Sequence, residues 1–127
     1  MCGCRGHPRL ACRCPSADRP FGIREKLADY CLNPDHEIGG AKAQRFRQVL
    51  GIDIADVEYL TEAFRAGVLT TPVSEVRDNA PFGVLCEVRI VVGGLHEQSE
   101  RVCVVTTAWE LPSAQDGPRL VTAYVEG

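Results

Sequence analysis

A chain of 127 residues with 45 % hydrophobic side chains suits one globular domain with a single core. It contains no run of about 18 apolar residues, which excludes a membrane-spanning helix of ordinary length. The net charge of −3 is unevenly spread: residues 1–24 carry five arginines and one aspartate, while residues 25–127 carry nine basic and sixteen acidic side chains. An acidic body excludes a broad, non-specific nucleic-acid surface and leaves room for a small basic site.

Residues 1–22 read as an arm rich in cysteine, arginine and proline, expected to be flexible, and residues 23–127 as one domain. The arm has arginines but no apolar stretch, so export is not expected and a cytoplasmic location is. Seven cysteines fall into two groups. Cys31, Cys86 and Cys103 sit in apolar patterns and read as small buried hydrophobes. Cys2, Cys4, Cys12 and Cys14 form two Cys-x-Cys pairs around His7. Four thiolates could hold a tetrahedral zinc, and an arm ordered this way could touch nucleic acid through Arg5, Arg9 and Arg13. Zinc ligands in such pairs are commonly separated by two to four residues, not one, so the spacing argues against a metal, and no other cofactor is expected. Disulfides are disfavoured without export.

Ile23, Leu27, Tyr30 and Cys31 form an i, i+4, i+7, i+8 stripe that predicts a first helix, ended by Asn33-Pro34. A loop follows, carrying His36 between Asp35 and Glu37, and Gly39-Gly40 frees the backbone before a second helix. On that helix Ala43, Phe46, Val49 and Leu50 face the core, and Lys42 falls within the same arc with Arg45 beside it. Cations at a helix N-terminus oppose its dipole, a conflict that an anionic ligand such as phosphate would resolve. The second helix closes near Gly51. Asp53 is a good N-cap for a third, whose core stripe is Val57, Leu60, Phe64 and Val68, with Gly67 close to its end.

Beyond Thr70 the period changes to alternation. Pro72 to Asp78 predicts a short edge strand and Asp78-Asn79-Ala80-Pro81 a turn. Phe82 to Val92 predicts a strand with Val84, Cys86, Val88, Ile90 and Val92 on one face. A Gly93-Gly94 loop carrying His96 leads to a strand from Arg101 to Leu111, and a turn at Pro112 to Pro118 leads to the last, Arg119 to Val125. Short connections pair such strands antiparallel. The expected class is α+β: three N-terminal helices packed on an antiparallel meander of three or four strands.

The pattern Leu32-Asn33-Pro34-x-His36-x-x-Gly39-x-x-Lys42-Ala43-x-x-Phe46, with Thr107-Ala108-Trp109 and Pro118-Arg119-Leu120-Val121-Thr122-Ala123-Tyr124 downstream, resembles an uncharacterised bacterial domain. That domain is found alone or at the C-terminal ends of polymorphic toxins. The resemblance covers roughly residues 26–125. Toxin-end domains with helices before an antiparallel sheet are similar to the barnase–EndoU–colicin–RelE group of small, metal-independent ribonucleases, a likeness at the level of fold. It implies RNA or another nucleic acid as substrate and a cognate immunity protein as a possible partner, with no membrane.

Metal-independent RNA cleavage needs a base for the 2′-hydroxyl, an acid for the leaving oxygen and cations for the phosphorane. His36 is the candidate acid or base, histidine being the side chain that changes charge near neutrality. Lys42 and Arg119 are candidate phosphate ligands, with Arg45 alongside. Thr107 or Thr122 could donate a hydrogen bond, and Trp109 or Tyr124 could stack on a base. The two-residue period puts Thr107 with Trp109, and Thr122 with Tyr124, on shared strand faces. Plainer roles compete: His36 as a loop cap, His96 as an exposed residue, Trp109 as core, Arg119 as a partner of Glu110 across the hairpin. Threonines need no function in a strand. The other function class is a non-catalytic binding module whose acidic surface, around Asp53, Asp56, Glu58 and Glu62, engages a basic protein.

Overall fold

A computed structural model of the chain describes residues 14, 16–78, 83–111 and 117–126. Its class is α+β, with a four-stranded antiparallel sheet in the order β1-β2-β3-β4. Helix α1, Ile23–Lys26, runs into a π-helical turn, Leu27–Cys31. Helix α2 is Gly40–Leu50, and α3, Val57–Thr70, is preceded by a 3-10 turn, Ile54–Asp56. Strands β1, Glu75–Asp78, β2, Val84–Gly93, β3, Val102–Leu111, and β4, Arg119–Val125, form the meander. The helices precede the sheet apart from a 3-10 turn, His96–Gln98, in the β2–β3 connection. Among the described residues no helix is long and apolar enough to cross a membrane.

Apolar spacing explains each helix. Ile23, Leu27 and Cys31 are buried, as are Ala43, Phe46 and Leu50 of α2 and Val57, Leu60, Phe64 and Val68 of α3. All of these but Ala43 join one core with Cys86, Val88, Ile90 and Val92 of β2 and Val105, Trp109 and Leu120 across the sheet. Each large side chain so enclosed contributes about 1.5–3 kcal/mol. Asp53 and Asp56 form a reciprocal capping box, so the N-cap is real, but it starts a 3-10 turn and α3 begins four residues later. Gly67 is not a terminator. It lies inside α3, where an added Cβ would sit 2.5 Å from Ile90 Cγ2, so its lack of a side chain brings helix and sheet together.

The register passes from Ala108↔Thr122 to Trp109↔Leu120, which leaves Val121 as the extra residue of a bulge in β4. The face away from the helices mixes polar side chains with apolar ones such as the exposed Val91. Arg89 donates to both Glu126 oxygens at 2.7 and 3.0 Å, and Thr106 Oγ1 donates to Glu126 at 2.6 Å. Those bonds, Arg89's first, hold the Glu126 carboxyl below its ordinary range.

The body begins earlier than residue 23. Cys14 and Ala17 are buried in the core, and Phe21 joins β4 through a parallel bridge to Arg119. Its amide donates to Pro118 O at 3.0 Å and its carbonyl accepts from Leu120 N at 3.2 Å. Cys2, Cys4, Cys12 and His7 lie outside the described residues. Cys14 is buried, and its thiol hydrogen-bonds that of Cys86, which this contact holds below the usual thiol range. Among the described residues no group of three or more metal-ligating side chains converges.

Candidate functional site

The loop between the π-turn and α2 is built by its own side chains. Asn33 Oδ1 accepts from Asp35 N at 3.0 Å and Asn33 Nδ2 donates to Asp29 O at 3.3 Å. This is the Asx turn that an Asn-Pro sequence favours. His36 then turns back toward the helix. Its Nδ1 accepts from Ile38 N at 3.0 Å and Gly39 N at 2.9 Å. The N-terminal amides that suggested an anion site are thus partly satisfied by an imidazole lone pair. Two donors on Nδ1 place the ring hydrogen of neutral His36 on Nε2. Gly39 is required by closeness, since a Cβ there would lie 2.2 Å from Tyr30 O.

Tyr30 is the hub of the cleft beside this loop. The His36 ring packs edge-on against it, with centroids 4.8 Å apart at 85°. Lys42 Nζ donates to Tyr30 Oη at 2.6 Å and Lys26 Nζ stands 5.7 Å from the ring centroid. Tyr30, His36 and Lys26 line one cavity of about 340 Å³ together with Arg119, Glu25 and Asp29. Gly22, φ +72°, and Leu120 complete its wall. Arg119 Nη2 donates to Glu110 Oε1 at 2.9 Å, a contact across the β3–β4 pair that fixes the guanidinium at the rim.

The expected site residues divide accordingly. His36 and Arg119 line the same cleft, and Lys42 stands behind Tyr30. Arg45 is exposed on α2 and does not line it. Thr122 does not line it either: its hydroxyl is enclosed beside the Cys31 thiol, and among the described residues it has no partner of hydrogen-bond geometry. Thr107 and Trp109 share a strand face, but that face is the core. Both are wholly buried, Trp109 Nε1 donating to Thr107 Oγ1 at 2.7 Å and that hydroxyl to Val88 O at 2.7 Å. A base cannot stack on an enclosed indole, which corrects both roles. Tyr124 is exposed but on the other face, paired with Thr106, which is paired with Arg89.

Sequence reasoning missed Lys26, Tyr30, Glu25 and Asp29. Glu25 with Asp29, and Lys26 with Tyr30, are i, i+4 pairs that would share a helix face. That face reads as solvent until β4 and the His36 loop wall it in. Beneath the cleft Cys31 is pushed up to about 11, by burial first, against the opposing pull of the Ala123 backbone and the Lys42 and Lys26 charges.

His96 is exposed, as expected, yet it is held. It adopts φ +55°, and its Nε2 meets Asp56 Oδ1 at 3.1 Å, linking the β2–β3 connection to the start of α3. Asp56 also accepts from Asp53 N at 3.2 Å, Glu58 pairs with Arg24, and Glu62 lies 3.7 Å from Arg65. The acidic cluster around α3 is therefore engaged within the chain.

Comparison with known proteins adds a family and nothing on activity. Residues 13–127 match the model of a family described as a domain of unknown function, DUF6883, and the chain belongs to it. No curated protein and no solved structure matches the chain.

Proposed function

We propose that this DUF6883 member is a small nuclease that cleaves RNA by metal-independent transesterification in the Tyr30–His36 cleft, as the resemblance to toxin-end domains implies. The observation that carries the reading is the convergence in one cleft of an imidazole, two carboxylates and two cations: His36, Glu25 and Asp29, Lys26 and Arg119. Those groups match the needs of the reaction. A carboxylate, Asp29 or Glu25, takes the 2′-hydroxyl proton as that oxygen attacks phosphorus. The bond to the 5′-oxygen breaks, its electron pair goes to that oxygen, and it takes a proton from solvent water while His36 Nε2–H donates a hydrogen bond to it. A 2′,3′-cyclic phosphate and a free 5′-hydroxyl result. Lys26 and Arg119 offset the charge that builds on the phosphoryl oxygens. His36 suits a hydrogen-bond donor to the leaving oxygen better than a base, because its Nδ1 lone pair is committed to two amides and its hydrogen stands on Nε2. The binding-module alternative is less well supported, since Asp53, Asp56, Glu58 and Glu62 each have partners within the chain.

The test is a gel assay of the full chain on total tRNA and on single-stranded DNA with EDTA present, beside His36→Asn. RNA cleaved by the wild type and left intact by a folded His36→Asn is the expected outcome. Intact RNA in both lanes would remove the nuclease reading and direct attention to basic protein partners.

A further inference from the structure

Lys42 has an unusual companion. Its Nζ donates to Tyr30 Oη at 2.6 Å and lies 4.7 Å from that ring's centroid, and among the described residues no ion pair joins it to a carboxylate. A phenol oxygen that accepts from an ammonium keeps its own hydrogen to give. Among the described residues no acceptor takes that hydrogen. Tyr30 lines the cleft and Lys42 does not.

We infer that Tyr30 is the group that meets a phosphoryl oxygen in this cleft, through its O–H, and that Lys42 is a positioning residue acting through the phenol. The inference rests on reading the cleft as a phosphodiester site. It replaces the direct phosphate contact that the sequence suggests for Lys42.

The surroundings fit a held donor. Tyr30 lies within the π-turn, and such widened turns recur at functional sites. His36 packs edge-on against the ring at 4.8 Å, and the bare Cα of Gly39 admits the Tyr30 backbone. An ammonium on the phenol oxygen polarises the O–H, so a chain from ammonium through phenol to an anionic oxygen is stronger than its links taken singly. Lys26, 5.7 Å from the centroid, is placed to neutralise the same ligand charge.

Inorganic phosphate is the probe, titrated into the full chain and followed through the backbone amide NMR shifts of Gly22 and Leu120 in the cleft wall. Tyr30→Phe, Lys42→Met, the double variant and Lys42→Arg are compared, each with native near-ultraviolet dichroism. Tyr30→Phe should weaken phosphate about tenfold. Lys42→Met should weaken it by no more than that and add nothing in the Tyr30→Phe background, and Lys42→Arg should restore most of the loss. Undiminished binding by Tyr30→Phe overturns the inference. So does a Lys42→Met effect that persists in full without the phenol oxygen, since Lys42 would then touch phosphate itself. If Lys42→Met does not fold, Tyr30→Phe alone decides. Cleavage of tRNA is read in parallel. Phosphate binding without cleavage removes the nuclease reading and leaves Tyr30 to be judged on binding; cleavage without phosphate binding by the wild type overturns the inference and spares the nuclease.

Discussion

The two nitrogens of His36 have separate tasks, and substitution can separate them. Nδ1 closes the loop by accepting from Ile38 N and Gly39 N; Nε2 is left for a ligand. His36→Ala removes both and should cost about 1–2 kcal/mol by urea unfolding, as the loss of a helix cap does. In His36→Asn a side-chain oxygen can still accept from the loop amides, so most of that stability should remain while RNA cleavage disappears. Equal stability in the two variants would mean that the cap is worth nothing. The Thr107 hydroxyl makes a harder demand, because it serves two buried groups, the indole of Trp109 and the carbonyl of Val88. Thr107→Val keeps the shape and strands an indole N–H in the core. It should cost about 1–3 kcal/mol, with the tryptophan emission recording the change.

At the scale of elements, what was legible was period. Alternation from Val84 to Val92 gave β2, and the end of β4 falls where the apolar run stops at Val125. The π-turn was not legible, since an i, i+4, i+8 stripe of Ile23, Leu27 and Cys31 fits an α-helix as well. The bulge at Val121 is equally silent in sequence, as is the role of Gly67. Gly67→Ala gains up to about 1 kcal/mol in helix propensity but drives a Cβ to 2.5 Å from Ile90 Cγ2. Overpacking of that kind costs about 1–3 kcal/mol, so a net loss is expected, partly relieved in a double variant with Ile90→Val. The π-turn also carries a pH signature. With Cys31 raised to about 11 against an ordinary 9.0, the folded chain holds a proton that the unfolded chain releases. Stability is therefore complete below about 9 and declines through about 11, and Cys31→Ala should show a shallower alkaline decline in its urea midpoints.

For the whole molecule, the site was half legible because it is assembled from parts of unequal visibility. His36 and Arg119 stood out as polar, functional side chains in a loop and at a strand start. Trp109 left two readings open, core residue or stacking platform, and the choice waits on knowing the sheet's buried face, where it lies. Glu25, Lys26 and Asp29 were hidden by looking like any solvated helix face, and only β4 lying along the π-turn turns that face into a wall. This composition makes the cleft balanced in charge within an acidic body, and the nuclease proposal then sets how RNA binding should respond to salt. Each phosphate neutralised on a single strand contributes a slope of about −0.7 to log K against log salt. With Lys26 and Arg119 as the contacts, the slope should be near −1.4, and Lys26→Ala should reduce it by about 0.7 at every RNA sequence tried. A slope of about −3 or steeper, unchanged in Lys26→Ala, would instead assign the affinity to the arginines of residues 1–24 and make the cleft a place of chemistry rather than of grip.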